Sequence, residues 1–372
     1  MWHPSNSTLS TLGAGVHILS NMDGARVELT VAFLQSCDPD RICHFIFGGV
    51  EPDAAEWLVA RIPEDIHLWV THLSPESAGI LARHRQALHF RRLTHIDAGV
   101  AEALSAHESG LCFWDLQELS LSCAEFLGRT KACLIFGGIT ELAPEVAACF
   151  VTHGRGLNFF SLRTLEPEAA SWLAKRTVRM HLTVEELPVA SAEAIARFQG
   201  RMLSFTFGRL APAAAERLAA YPGALTLYLS SLKSMSHKTA AALVSHTGPL
   251  YFGSSAWGEK VCTELARHQG LVGAKHPPRF TKAGALALAR TSQTLRFYQI
   301  KSMPDWLCEA FSTHTGTLEI PRVTRMSKKG ARALLKHPGP LMVTCEKLPK
   351  AVGLILSQRP ILADPLAKPP PS

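Results

Sequence analysis

Long apolar runs, paired cysteines and known catalytic motifs are all missing from this 372-residue sequence. No stretch of 18 consecutive apolar residues occurs, so we do not expect a membrane-spanning helix. The nine cysteines include no C-x-x-C pair and no closely spaced even set, which argues against a disulfide framework and against a zinc finger. No basic residue precedes the first weakly apolar stretch, so a secretory signal is not expected either. We expect reduced, mostly buried cysteines and a cytoplasmic location.

The absent motifs also bear on chemistry. The sequence has no G-x-x-x-x-G-K-[ST], no H-E-x-x-H, no G-x-S-x-G and no calcium-binding loop. Acid pairs such as Glu166 and Glu168 flank a proline at predicted helix starts, where the helix dipole explains them. We therefore expect a protein without enzymatic activity, without a cofactor and without a bound metal.

Charge is sparse and unevenly distributed. Only 19% of residues are charged, and the net charge is +7. Residues 1–220 hold 18 basic and 24 acidic residues, whereas residues 221–372 hold 20 basic and 7 acidic ones. A basic segment of this kind is typical of proteins that attract acidic partners such as nucleic acid. The alternative is a solvated lysine-rich surface without such a partner, which has the same composition.

What the sequence does have is a repeat. Pairs of apolar residues two positions apart recur every 21 to 24 residues, most often every 23. The pairs are Phe45/Phe47, Ile66/Leu68, Leu88/Phe90, Leu111/Phe113, Leu134/Phe136, Leu157/Phe159, Met180/Leu182, Leu203/Phe205, Leu227/Leu229, Leu250/Phe252, Leu271/Gly273, Leu295/Phe297, Leu318/Ile320 and Leu341/Val343. Alternation with a period of two places positions 1 and 3 of each repeat on the buried face of a strand.

The second half of each repeat predicts a short helix. Proline followed by an acid marks helix starts, as in Pro144-Glu145. A small residue such as Ala147 and a large one such as Phe150 follow three residues apart, on one helical face. Seven histidines recur at the predicted helix ends, and we expect them to stack along the repeats rather than converge on a metal ion: His84, His107, His153, His246, His268, His314 and His337.

The repeat unit L-x-F-x-x-L-x-x-L-[SAE]-P-E-A-A-x-x-L-x-x-H-x-G resembles the leucine-rich repeat family, particularly its divergent bacterial members, from residue 45 to about residue 358. The resemblance implies an α/β solenoid: one parallel sheet with helices on its other side, in about 14 repeats of roughly 23 residues. Most members of the family bind other proteins on the concave strand face. One departure is position 6, where the family's usual Asn or Cys is replaced by residues such as Leu116.

Three segments follow from the repeat boundaries. Residues 1–44 form an N-terminal tail and cap, residues 45–358 form the repeat solenoid, and residues 359–372 form a proline-rich, disordered C-terminal tail.

Positions 2 and 4 of the strands point away from the core and carry the candidate binding residues. Large aromatic side chains mixed with Arg and His are typical of interface centres, and here they are His67, Trp69, His89, Arg91, Trp114, Phe160, Tyr228, Tyr251 and Tyr298. The alternative for these rings is packing against one another without a partner. Three functions remain open: a protein-binding scaffold that uses this face, a nucleic-acid or anionic-surface binder that uses residues 221–372, and a repeat protein with little selected function.

Overall fold

The computed structural model describes residues 16–17, 48–229, 236–253, 256–274 and 278–358. The chain divides into two compact units, Met1–Arg163 and Thr164–Ser372.

The first unit is built from short parallel strands that alternate with short helices. Its strands are β1 (Val16–His17), β2 (Ile66–Trp69), β3 (Leu88–Arg91), β4 (Gly110–Phe113), β5 (Cys133–Phe136) and β6 (Leu157–Leu162). Its helices are α1 (Pro52–Arg61), α2 (Pro75–Leu81), α3 (Ala98–Leu104), α4 (Leu121–Leu127) and α5 (Pro144–Cys149). Each strand pairs in parallel with the next one along the chain.

The second unit continues the same alternation. Its strands are β7 (Met180–Glu186), β8 (Met202–Arg209), β9 (Ala224–Leu229), β10 (Leu250–Phe252), β11 (Ala256–Trp257), β12 (Val272–Ala274), β13 (Arg279–Phe280), β14 (Leu295–Phe297), β15 (Ser302–Met303), β16 (Leu318–Glu319), β17 (Arg325–Met326) and β18 (Leu341–Met342). Its helices are α6 (Pro167–Ala174), α7 (Val189–Ile195), α8 (Pro212–Leu218), α9 (His237–Leu243), α10 (Glu259–Leu265), α11 (Lys282–Ala289), α12 (Asp305–Phe311), α13 (Lys328–Leu334) and α14 (Lys350–Leu356), with a 3-10 turn at Cys345–Lys347. The main parallel ladder runs from β7 to β10 and then through β12, β14, β16 and β18, while β11 pairs with β13 and β15 with β17.

Local chemistry explains where the helices begin. Pro75 and Pro144 occupy the first helical turn, where the missing N–H is not needed. Other helices begin with a side-chain cap: the carboxylate of Asp97 accepts a hydrogen bond from the Val100 N–H at 2.8 Å, and the Ser120 hydroxyl accepts one from the Cys123 N–H at 3.2 Å.

The core lies between the strands and the helices. The strand residues at positions 1 and 3 of the repeat, such as Leu111 and Phe113, are buried. Phenylalanines stack from strand to strand, with ring centroids 5.4 Å apart for Phe90 and Phe113 and 5.9 Å apart for Phe113 and Phe136. The helix alanines that face the strands, including Ala147, have no exposed surface. Their small side chains let each helix pack closely against the strands.

The helix-end histidines connect consecutive repeats. His107 lies 3.2 Å through Nδ1 from the Ala82 carbonyl oxygen, and His246 lies 3.3 Å from that of Ala219. Ala82 and Ala219 are the C-cap residues of the preceding helices. These two histidines lie at helix ends as predicted, and each contacts a carbonyl oxygen at the end of the preceding helix.

Two predicted strand phases are wrong. In β9 the residues in register with Leu203 and Phe205 are Leu225 and Leu227, so the inward pair begins two residues before the predicted Leu227. In β12 the inward residues are Val272 and Ala274, which pair with Leu250 and Phe252; the predicted pair Leu271/Gly273 is one residue out of phase. A one-residue shift exchanges the two faces of a strand, which explains why Leu271 is only half-buried.

The predicted fold class is confirmed by parallel strand pairing and by contacts between successive helices: each unit is an open, leucine-rich-repeat-like array of alternating strands and helices. The predicted first pair, Phe45/Phe47, and the predicted C-terminal tail, residues 359–372, lie outside the described residues. Among the helices that the structure describes, none is long and apolar enough to span a membrane.

Candidate functional site

Four side chains of the first unit form a row on the strand face that points away from the helices. Backbone register places Trp69 beside Arg91. Trp114 directly follows β4, and its backbone N–H donates to the carbonyl oxygen of Phe90 on β3. Phe160 lies on β6. We call Trp69, Arg91, Trp114 and Phe160 the aromatic row. All four are half-buried, so one side of each group contacts the protein and the other faces solvent.

Arg91 is held between two indoles. Its guanidinium carbon lies 5.5 Å from the ring centroid of Trp69 and 5.0 Å from that of Trp114. Both distances are within the range of a cation–π interaction. The arginine is therefore fixed in position by its neighbours, while the outer edges of the indoles stay accessible.

The row continues across a strand that contributes no side chain to it. Gly137 follows β5 between the segments that carry Trp114 and Phe160, and a Cβ atom at this position would lie 2.4 Å from the Trp114 carbonyl oxygen. Without that side chain, the rings of Trp114 and Phe160 stack at 6.1 Å with an interplanar angle of 5°. The stacked rings thus close the gap that Gly137 leaves in the row.

Two histidines stack beside the aromatic row. The rings of His67 and His89 lie 4.1 Å apart with an interplanar angle of 6°. The indole N–H of Trp114 donates to Nδ1 of His89 at 3.2 Å. Since an indole nitrogen only donates, Nδ1 is the acceptor and the proton of the neutral His89 ring is on Nε2.

A carboxylate completes this group. Oδ2 of Asp65 lies 3.8 Å from Nε2 of His89, and Oδ1 accepts a hydrogen bond from the Ala87 N–H at 3.0 Å. Asp65 immediately precedes β2 and does not belong to the strand-face pattern, so sequence reasoning did not select it. The signal available was its position two residues before His67.

Cys112 is in register with His89 on the next strand. Its side chain is buried, and this burial, together with the negative charge of Asp65, raises the pKa of the thiol to about 12. The thiol is therefore protonated and unreactive at neutral pH.

The predicted tyrosines belong to the second unit, in two clusters. Tyr228 occupies the fourth position of its strand rather than the predicted second, because β9 begins earlier than expected, and its ring meets His181 edge-to-face at 5.9 Å. Tyr251 and Tyr298 both accept hydrogen bonds from Nη1 of Arg296, at 3.1 and 3.3 Å.

Arg296 is also neutralised within the second unit. Its guanidinium forms a two-pronged ion pair with Glu319, in which Nη2 donates to Oε1 at 2.7 Å. Glu319 is buried, and this pairing raises the pKa of Arg296. The positive charge of Arg296 in this tyrosine–arginine cluster is therefore balanced by Glu319, although the surrounding segment has an excess of basic residues.

Two adjacent lysines of the basic segment, residues 221–372, begin a helix. Lys328 and Lys329 begin α13, and Nζ of Lys329 lies 2.9 Å from a carboxylate oxygen of Glu309. One of the two charges is thus paired with a neighbouring helix.

Comparison with known proteins gives a structural likeness only. No protein-family profile matches the sequence, and no curated protein matches it. Among solved structures, this chain is similar to a leucine-rich-repeat protein of Leptospira interrogans, with a TM-score of 0.35 and 13% sequence identity over 71% of this chain and 73% of that one.

Proposed function

We propose that this chain is a non-enzymatic binding scaffold, and that the aromatic row of the first unit is the centre of a protein-binding surface. The observation that supports the proposal is the position of Arg91 between Trp69 and Trp114. Trp and Arg are the residues that contribute most to the energy of protein interfaces when they are buried by a partner.

The aromatic row is fixed before any partner arrives. Stacking restricts the rotamers of Trp114 and Phe160, and the two indoles restrict Arg91. Ordering flexible side chains opposes association by about 0.5–1.5 kcal/mol for each one, and groups that are already ordered avoid most of this loss. A partner that covers the row buries large apolar rings and meets a single central cation.

The test begins with a protein captured from the host by the full chain and then produced in pure form. Its affinity is measured by calorimetry against the wild type and the double variant Trp69→Ala/Trp114→Ala. We expect affinity to fall at least about thirtyfold, since truncating a central aromatic typically costs about 2 kcal/mol or more. Circular dichroism should be unchanged, because these rings face away from the core.

The matched control is Trp57→Ala. Trp57 is also half-buried in the first unit and also has an arginine, Arg61, over its ring, at 5.2 Å, but it lies on α1. This variant should bind as the wild type does. If the double variant binds normally while Lys328→Glu/Lys329→Glu loses binding steeply with added salt, the aromatic row is not the site and the basic segment binds an anionic partner.

A further inference from the structure

Asp65, His67 and His89 bring three potential metal ligands to one place on the first unit. One ligand atom from each residue lies within 4.8 Å of the other two, and this is the one such group in the part of the chain that the structure describes. The two histidines come from adjacent strands in register, and Asp65 comes from the loop that leads into β2. The strand ladder therefore sets the spacing of all three.

The group is accessible and nearly at coordination distance. The side chain of Asp65 is 49% exposed and that of His89 is 15% exposed, so an ion can enter from solvent. Two ligands of one tetrahedral zinc ion, each about 2.0–2.1 Å from it, lie about 3.3 Å apart. The present separation between Asp65 Oδ2 and His89 Nε2 is 3.8 Å, so binding requires the carboxylate to approach and the stacked rings of His67 and His89 to turn toward a shared ion.

The donor set selects the class of ion. Two imidazole nitrogens with one carboxylate oxygen suit a divalent transition metal such as Zn²⁺, rather than Mg²⁺ or Ca²⁺, which prefer oxygen ligands. Cys112 is buried in the sheet beside His89 and does not belong to this group of ligand atoms. One coordination position stays open to water.

We propose that Asp65, His67 and His89 form a binding site for a divalent transition metal ion of the zinc class, adjoining the aromatic row. The proposal does not depend on the protein-binding function. The site rests on strand histidines, not on the helix-end series for which no convergence was expected.

Trp114 couples this site to the aromatic row. Its indole N–H donates to Nδ1 of His89, which places the ring proton on Nε2, the atom nearest Asp65. Coordination through Nε2 requires that proton to leave and Nδ1 to carry one instead. The Trp114 hydrogen bond then has no acceptor, so metal binding must displace the indole.

The experiment uses the full chain without an affinity tag, after chelator treatment. Zn²⁺ is titrated by calorimetry, and tryptophan fluorescence is followed in parallel. We expect one ion per chain and a fluorescence change that saturates at the same ratio. We expect Asp65→Asn and His67→Gln each to weaken Zn²⁺ binding at least about tenfold, the loss of affinity typical when a group that supports a bound metal is replaced. Asp65→Asn keeps the side-chain oxygen that accepts the hydrogen bond from the Ala87 N–H.

The variant Trp114→Phe tests whether the indole N–H opposes metal binding, because a residue that only supports the fold would not increase Zn²⁺ affinity when it is replaced. Removing the donor frees Nδ1 of His89 to carry the proton, so Zn²⁺ should bind about two- to tenfold more tightly, the equivalent of one hydrogen bond. His95→Gln is the control, because His95 is an exposed histidine whose Nε2 lies 3.2 Å from a carboxylate oxygen of Glu118. It should leave the affinity unchanged.

Two results would overturn the proposal. One is the absence of saturable Zn²⁺ binding by the wild type, and the other is binding that survives both Asp65→Asn and His67→Gln. Binding with wild-type affinity in Trp114→Phe would overturn the coupling to the aromatic row.

Discussion

Trp114 stacks on Phe160 although the strand β5 lies between the segments that carry them. The contact exists because Gly137 contributes no side chain at that level of the sheet. A Cβ at this position would lie 2.4 Å from the carbonyl oxygen of Trp114, an atom of the backbone that cannot rotate away.

Gly137→Ala should therefore destabilise the protein by about 1–3 kcal/mol, the usual effect of overpacking. Urea unfolding of the full chain measures this change. Gly154→Ala is the matched control in the same unit, because a Cβ there would have no neighbour within 4 Å. If the two variants are equally stable, the close approach at Gly137 is not a constraint on the fold.

Buried alanines set the distance between helix and strand. In α8, Ala215 has no exposed surface while Ala213 is exposed. Ala215→Leu should lower the free energy of unfolding by about 1–3 kcal/mol, and Ala213→Leu should change it by less than about 0.5 kcal/mol. Equal melting temperatures for the two variants would contradict this packing.

The helix-end histidines make stability depend on pH. Burial lowers the pKa of His107, His246, His268 and His314 from the usual value of 6.5. A lowered pKa in the folded state means that unfolding is accompanied by proton uptake on the acidic side. Their contribution to stability is complete above pH 6.5 and is lost as pH falls through the lowered values.

Thermal unfolding between pH 7.5 and 5 checks this sign. We expect the midpoint temperature to decrease as the pH is lowered. In His268→Gln the decrease should be smaller, because the glutamine side chain does not titrate. The exposed His95 provides the control, since His95→Gln should keep the wild-type slope. A midpoint that rises on acidification would contradict the assignment of these imidazoles as neutral.

The ion pair between Arg296 and Glu319 should matter more than those on the surface. Their side chains are 23% and 9% exposed, so Glu319→Gln leaves a largely buried cation without its partner, and we expect a loss of about 2–4 kcal/mol. The exposed pair of Arg83 and Glu56 gives the comparison: Glu56→Gln should change stability by at most about 1 kcal/mol. Chemical unfolding of both variants measures the difference.

Most of the fold could be predicted because each repeat carries the same burial pattern. The exceptions are positions where the pattern is degenerate. Leu225, Leu227 and Leu229 alternate, so two frames fit equally and only hydrogen-bond register separates them. Leu271 and Val272 are both apolar, which leaves the face of β12 undetermined by the sequence.

The site shows the same division. Periodicity placed Trp69, Arg91 and Trp114 on one face, and the structure brings them into contact. The periodicity could not identify Asp65, because this residue lies in a loop outside the strand pattern. It could not predict the hydrogen bond from Trp114 to His89 either, because that bond depends on the rotamers of side chains on neighbouring strands.

The bond from a helix-end histidine to the preceding helix, as made by His107 and His246, sets the step in which this chain can change its length. His107 meets Ala82 and His246 meets Ala219 through the same pair of atoms. A deletion that begins and ends at equivalent positions of two repeats removes whole repeats. The next histidine then contacts the equivalent carbonyl oxygen of the helix that now precedes it. A cut of one residue more or less turns inward side chains outward. Viable insertions and deletions thus come in whole repeats, and each one lengthens or shortens the strand face by a single increment of about 4.8 Å.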